Sequence, residues 1–183
     1  MIGLIVLFTA AAGLVARHVY ADHTAGTGMS GTPHASSSSS AATDQTESRT
    51  VVLSADASGY PQSAQVQAAL QHYFDGINQQ DYQLWTAGVT KDRLRQTPLS
   101  NWKLFASTTD SDILVRRIEA GPDNRLIVLL TFRSVQSLAN APKYAQFTCI
   151  LWNVVWPFAQ EGGVWKLDVG DASKIPAYAD CSK

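Results

Sequence analysis

An α+β domain at residues 51–183 is the fold class this sequence predicts, and three observations predict it. Apolar residues recur at spacings of three and four from Pro61 to the region of Leu94. From Asp112 onward they recur at every second position, in runs broken by Gly, Pro, Asp and Asn. The stretch is also roughly 130 residues long, the size of one domain with one core, so helices come first and antiparallel strands follow in a single unit.

The first helix is expected over Pro61 to Gln79. Val66, Ala69, Leu70, Tyr73, Phe74 and Ile77 form one apolar stripe, and His72 and Asp75 fall on the opposite side toward water. Asn78 is read as closing this helix. Asp81 can cap a short second helix, Tyr82 to Gly88, because its carboxylate can accept the free N–H groups of the first turn. Thr90 offers a similar cap to a third piece holding Leu94, which Pro98 soon ends.

The strands follow. Asp112 to Glu119 places Ile113, Val115 and Arg117 on one face and Leu114, Arg116 and Ile118 on the other. The cluster Gly121-Pro122-Asp123-Asn124 turns the chain into a second strand, Arg125 to Ser134. After a polar connection, Gln146 to Phe158 and Val164 to Val169 make a long hairpin around Gln160-Glu161-Gly162-Gly163. Ile150, Trp152, Val154, Trp156 and Phe158 share one face of its first arm. Phe147, Leu151 and Val155 make the other face apolar too, so this strand is expected to be covered on both sides, and a homodimer through the sheet would supply such cover.

Cys149 lies in that strand, and Cys181 sits in a tail with few apolar groups of its own. A disulfide between them is expected to hold the tail. It would close a loop of about 32 residues and stabilise the domain by about 3–4 kcal/mol on the chain-entropy estimate.

Ahead of the domain, Ile2 to Ala16 is an uninterrupted small or apolar run that meets Arg17 and His18. Residues 1–21 are read as a membrane anchor or signal segment. About 15 residues span only some 22 Å of a roughly 30 Å hydrocarbon layer, unless Val19, Tyr20 and Ala21 extend the run while Arg17 snorkels. No basic residues precede Ile2 and no small-x-small site follows the run directly, which favours an uncleaved anchor over secretion after cleavage. Arg17 opposes that orientation under the positive-inside rule, and an upstream start would supply the basic residues it lacks. Residues 22–50 are read as a flexible linker. Thr24 to Thr50 holds seven Ser and six Thr among 27 residues, too little apolar surface to offset the entropy of ordering. Such a tether would hold the domain roughly 30 Å from its anchor. With two cysteines in one domain, these features point to a single-pass protein with the domain outside the cell membrane.

At Val66 to Trp85 (VQAALQHYFDGINQQDYQLW), with the hairpin ending GGVWKLDV, the chain resembles the nuclear-transport-factor-2-like superfamily over roughly residues 62–170. The resemblance implies a curved antiparallel sheet wrapped around the long first helix, a cone with a pocket at its open end. The run Thr131-Phe132-Arg133-Ser134-Val135-Gln136, with Cys149 and Trp152, is similar to exported actinobacterial proteins of unassigned role. In the ketosteroid-isomerase branch a pocket Tyr on the first helix stands eight residues before the acidic cap of the second, as Tyr73 does before Asp81. That branch also requires an Asp base after the short helices and a second pocket Asp on a later strand. Here Asp92 sits in a charged helix, Asp110 and Asp112 border a strand, and Asp168 faces away from Trp165, Leu167 and Val169. Tyr73 is accordingly read as pocket wall and not as a catalytic group.

The charges narrow the function further. Residues 51–183 carry twelve Asp or Glu and twelve Lys or Arg, so no basic excess exists for nucleic acid, and Lys91, Arg93, Arg95 and Lys103 are read as a solvated face. His72 is the domain's one histidine and the cysteines lack zinc-ligand spacing, so no metal and no cofactor are expected. Ser100 and Ser134 lack a histidine partner. The expected pocket lining is Tyr73, Trp85, Trp102, Arg133, Asn153 and Trp156. The function expected first is a membrane-tethered, non-catalytic module binding a small apolar ligand or an envelope protein. A small acid/base isomerase or dehydratase comes second, and a structural subunit of a membrane complex third.

Overall fold

A computed structural model of the chain describes residues 47–171 and 174–182. The expected anchor or signal segment at 1–21 and the expected linker up to residue 46 lie outside the described residues. Among the described residues no helix is long and apolar enough to cross a membrane.

The domain is α+β. The helices α1 (Ala55–Ser58), α2 (Ser63–Gln79), α3 (Tyr82–Ala87), α4 (Lys91–Gln96) and α5 (Leu99–Trp102) follow a two-residue strand β1 (Val52–Leu53). Then come β2 (Thr109–Ala120), β3 (Leu126–Val135), β4 (Cys149–Glu161), β5 (Val164–Leu167) and β6 (Ala177–Asp180). The stripe on α2 is buried as its periodicity requires, and His72 is exposed. Gln80 ends α2 in the left-handed conformation, φ 57°, with its N–H turned back to the Gly76 and Ile77 carbonyls. Asn78, expected to terminate the helix, instead stays helical and reaches β2. The carboxylate of Asp81 accepts from Leu84 N at 3.0 Å, and Thr90 Oγ1 accepts from Arg93 N at 3.2 Å, so both expected caps form.

The six strands form one sheet in the order β1-β2-β3-β4-β5, with β6 also on β4. β1 runs parallel to β2, so the sheet is mixed and not purely antiparallel; two residues are too few to show a period in the sequence. β3 covers one edge of β4 from Cys149 to Phe158. The opposite edge is shared: β6 pairs with Ile150–Asn153 and β5 with Phe158–Glu161, leaving a gap between them. β2 carries extra residues between Ser111 and Leu114 and between Val115 and Arg117. Each bulge bends and twists the strand, and the sheet curls strongly into a half-barrel around α2.

The bulges also correct the expected faces of β2. Asp110, Ile113, Val115 and Ile118 are buried, while Arg116 and Arg117 are both exposed, because one inserted residue flips the alternation. On β4 the inner face is as expected, but Leu151 and Val155 on the outer face are 47% and 60% exposed, so none of the described residues covers those two side chains. The β4–β5 hairpin turns at Gly162 and Gly163, φ 62° and 83°, a conformation that glycine adopts without steric cost.

Cys149 and Cys181 are joined, with Cα atoms 5.0 Å apart. The tail they anchor is the strand β6, whose four residues are too few to show a strand period in the sequence. At the other end, residues 47–50 are bonded to the domain. Asp112 N donates to Ser48 O at 2.7 Å, Gln71 Nε2 donates to Arg49 O at 3.2 Å, and Glu47 pairs with Arg133.

A candidate ligand pocket

Curling the sheet around α2 leaves space that the core side chains do not fill. A cavity of about 690 Å³ lies between the inner face of the sheet, α2 and the segments 97–108 and 136–144. Phe132, Trp152, Trp156, Tyr73 and Tyr144 make much of its wall. The rings are contiguous: Phe132 lies 5.6 Å from Trp156 and 6.3 Å from Trp152, and Tyr73 lies 5.3 Å from Trp156, centroid to centroid. Its volume falls in the range of sites for drug-sized molecules.

One acid sits in this wall. Asp110 is 2% exposed and pairs in register with Ser134 across β2 and β3. Its backbone is fixed from α2, because Asp110 N donates to Asn78 Oδ1 at 2.7 Å and Asn78 Nδ2 donates to Asp110 O at 2.9 Å. Its carboxyl Oδ1 accepts from Ser134 Oγ, and Ser134 Oγ in turn accepts from Trp152 Nε1 at 3.1 Å. Burial pushes the Asp110 carboxyl up to about 7, with the Ser134 hydrogen bond opposing that rise. Asp110 forms no ion pair among the described residues.

Tyr73 lines the same cavity from α2. Burial raises its phenol above the ordinary value; the nearby Arg93 charge opposes this and the Asp110 charge adds to it. Arg93, expected on a solvated face, turns inward instead. Its guanidinium carbon sits 5.7 Å from the Tyr73 ring centroid and 5.9 Å from that of Trp156, and Nη1 donates to Asp168 O at 3.1 Å. Asp168 is likewise buried, because β5 stops at Leu167 and the chain then turns its carboxylate onto Thr90 Oγ1 (2.8 Å) and Arg125 Nη1 (3.1 Å). A second cavity of about 680 Å³, containing Arg93, opens beside the gap on the β4 edge, and Val154, Trp156 and Pro176 line both.

Of the six residues expected at the pocket, Tyr73 and Trp156 line it. Trp85 and Trp102 are buried behind it, where Trp85 packs against Tyr73 and Tyr82 and Trp102 against Tyr82. Arg133 lies on the outer side with Glu47, its Nε donating to Cys149 Sγ at 3.1 Å. Asn153 also points outward, since only alternate residues of β4 face the cavity. Asp110, Ser134 and Gln136 are the polar wall that sequence reasoning missed. Thr109-Asp110-Ser111 continues the strand N-terminally, but simple alternation sets Asp110 opposite the inward Ile113, and only the bulge after Ser111 brings the two onto one face.

The arrangement can hold an apolar body by its aromatic wall and one polar group at Asp110. Among the described residues no group of three or more His, Cys, Asp or Glu is placed to hold a metal ion. No protein-family model matches the sequence, and comparison with curated proteins returns no match.

Proposed function

We propose that the domain is an extracytoplasmic, membrane-tethered module that binds a small, largely apolar molecule between α2 and the curled sheet, in the manner of nuclear-transport-factor-2-like pockets. The observation that carries this reading is Asp110: a buried acid facing an aromatic cavity is costly to keep unless something in the cavity uses it. Equilibrium dialysis of the full chain in nonionic detergent, against empty micelles, tests it with the neutral probe N-phenyl-1-naphthylamine. Saturable binding of one probe per chain is expected, lost in Ala139→Trp, which fills the cavity from its 138–140 turn. Equal uptake by the wild type and this variant would refute the pocket.

A second reading, an acid/base isomerase or dehydratase, is favoured by Tyr73 and Asp110 sharing one cavity. A carboxyl near 7 is matched to accept a proton at neutral pH, and a neutral phenol can donate a hydrogen bond to a developing oxyanion. Deuterium incorporation from solvent into the C–H α to the carbonyl of a bound ketone, abolished in Asp110→Asn, would separate this reading from simple binding.

A further inference from the structure

The cavity is not evenly polar, and its asymmetry bears on what it binds. Two buried donors run in line toward the acid: Trp152 Nε1 donates to Ser134 Oγ, and Ser134 Oγ donates to Asp110 Oδ1, while the Gln136 amide turns away to the Phe147 carbonyl. The chain's own hydrogens therefore support the charged, accepting form of the carboxyl. Among the described residues Oδ2 accepts no hydrogen bond, yet it is not sealed from the cavity.

We propose that the cavity takes an apolar molecule bearing a protonated amine, with the ammonium on Asp110 Oδ2 and the apolar body against the Phe132, Trp152 and Trp156 rings. The inference rests on the reading of the cavity as a ligand pocket and adds the class of ligand.

Three lines of chemistry support the cation. A buried carboxylate is stable only when paired, and among the described residues no cation pairs with Asp110. Arg93, half-buried beside the cavity, is engaged by the Tyr73 and Trp156 rings and the Asp168 carbonyl, and it does not figure among the groups that set the state of Asp110. Aromatic rings line the same cavity, and a cation that meets a ring face gains an attraction that a neutral alcohol lacks. An anion would instead meet a like charge. The other ionisable groups on the cavity are Tyr73 from α2 and Lys143 and Tyr144 from the segment after β3. Both tyrosines are held neutral by burial that raises them, and Lys143 is exposed at the rim, where water screens it.

The test uses the full chain in nonionic detergent, dialysed against empty micelles, with two isosteric probes: 1-naphthylmethylamine, charged below about pH 9, and 1-naphthalenemethanol, neutral throughout. At pH 8 the amine is expected to bind at least about tenfold more tightly than the alcohol. Lowering the pH to 5.5 protonates Asp110 and should cost the amine about tenfold or more while leaving the alcohol unchanged. Asp110→Asn keeps the Ser134 hydrogen bond and the shape of the wall, so it should erase the preference for the amine and retain alcohol binding within about threefold. If the alcohol binds wild type as well as the amine, or Asp110→Asn keeps the preference, the ligand class is wrong and the pocket survives. If neither probe binds and Ala139→Trp matches the wild type, the pocket itself is lost, and the ligand class with it.

Discussion

Asp110 shows how one residue joins stability to function. Its carboxyl is held to β3 by Ser134 and its backbone to α2 by Asn78, so the acid belongs at once to the core and to the cavity. In the unfolded chain such a carboxyl ionises from its ordinary value of 3.8, whereas in the fold it does so at about 7. Between those values the folded state binds the proton more firmly than the unfolded state. The stabilisation from this group is therefore full below the unfolded value and is lost as pH rises through about 7. The empty domain is expected to unfold at lower temperature at pH 8 than at pH 5, and Asp110→Asn, which has no charge to bury, should flatten that slope. Thermal unfolding of both proteins from pH 5 to 8 checks this, and an equal slope in the variant would remove Asp110 as its source. The residue was missed in the sequence for a specific reason. Alternation places Asp110 on the face of Asp112 and Leu114, and only the inserted residue between Ser111 and Leu114 brings it onto the face of Ile113. Bulges leave no mark on composition, so inward acids beside them are read as strand borders.

At the level of elements, the segments that bury a full period were legible and those that do not were hidden. The stripe on α2, the caps Asp81 and Thr90, and the Gly162-Gly163 hairpin follow from local chemistry and appear as expected. β1 and β6, of two and four residues, carry no period of their own and exist because a neighbouring strand offers unpaired backbone. The angle between α2 and α3 is likewise set by something the pattern does not show, namely the absence of a side chain. A Cβ at Gly76 would stand 2.5 Å from the backbone nitrogen of Trp85, too close for any accommodation short of moving α3. Gly76→Ala should thus destabilise by about 3 kcal/mol in urea unfolding, despite the better helix propensity of alanine, and a neutral result would mean α3 shifts freely. β6 gives a second prediction. Beyond its four-residue ladder it is held by the Cys149–Cys181 bond and the Tyr178 hydroxyl on the Tyr144 carbonyl, and Pro176 beside it lines the cavity. In Cys181→Ser the amides of Ala177–Asp180 should exchange with solvent well before those of β3, at a cost of about 3–4 kcal/mol in global stability. Unchanged exchange would assign the strap to its ladder alone.

For the whole molecule, the open question is what covers the outer face of the sheet. Leu129 pairs with Val155 in the β3–β4 register and Arg133 with Leu151, so the exposed Leu151 and Val155 lie beside the half-buried Leu129 on one surface. Arg116 and Arg117 are exposed on the neighbouring strand. An apolar centre with charged residues at its side is the anatomy of an interface, and a strand whose second face is also apolar is what a sheet presents when another layer packs on it. We propose a second copy of this chain as that layer, because a sheet face can meet its own two-fold mate without any new complementarity. The proposed tether strengthens the case. Domains held within roughly 30 Å of one membrane meet at a far higher effective concentration than free domains, so a weak interface suffices. Light scattering on the full chain across a hundredfold concentration range should show a monomer giving way to a dimer. Val155→Lys, which places a charge at the centre of the face and touches neither the core nor the ligand pocket beside Asp110, should shift the midpoint at least about tenfold toward monomer. A mass that stays monomeric at every concentration would leave the outer face uncovered and overturn the dimer, with the pocket on the opposite face unaffected.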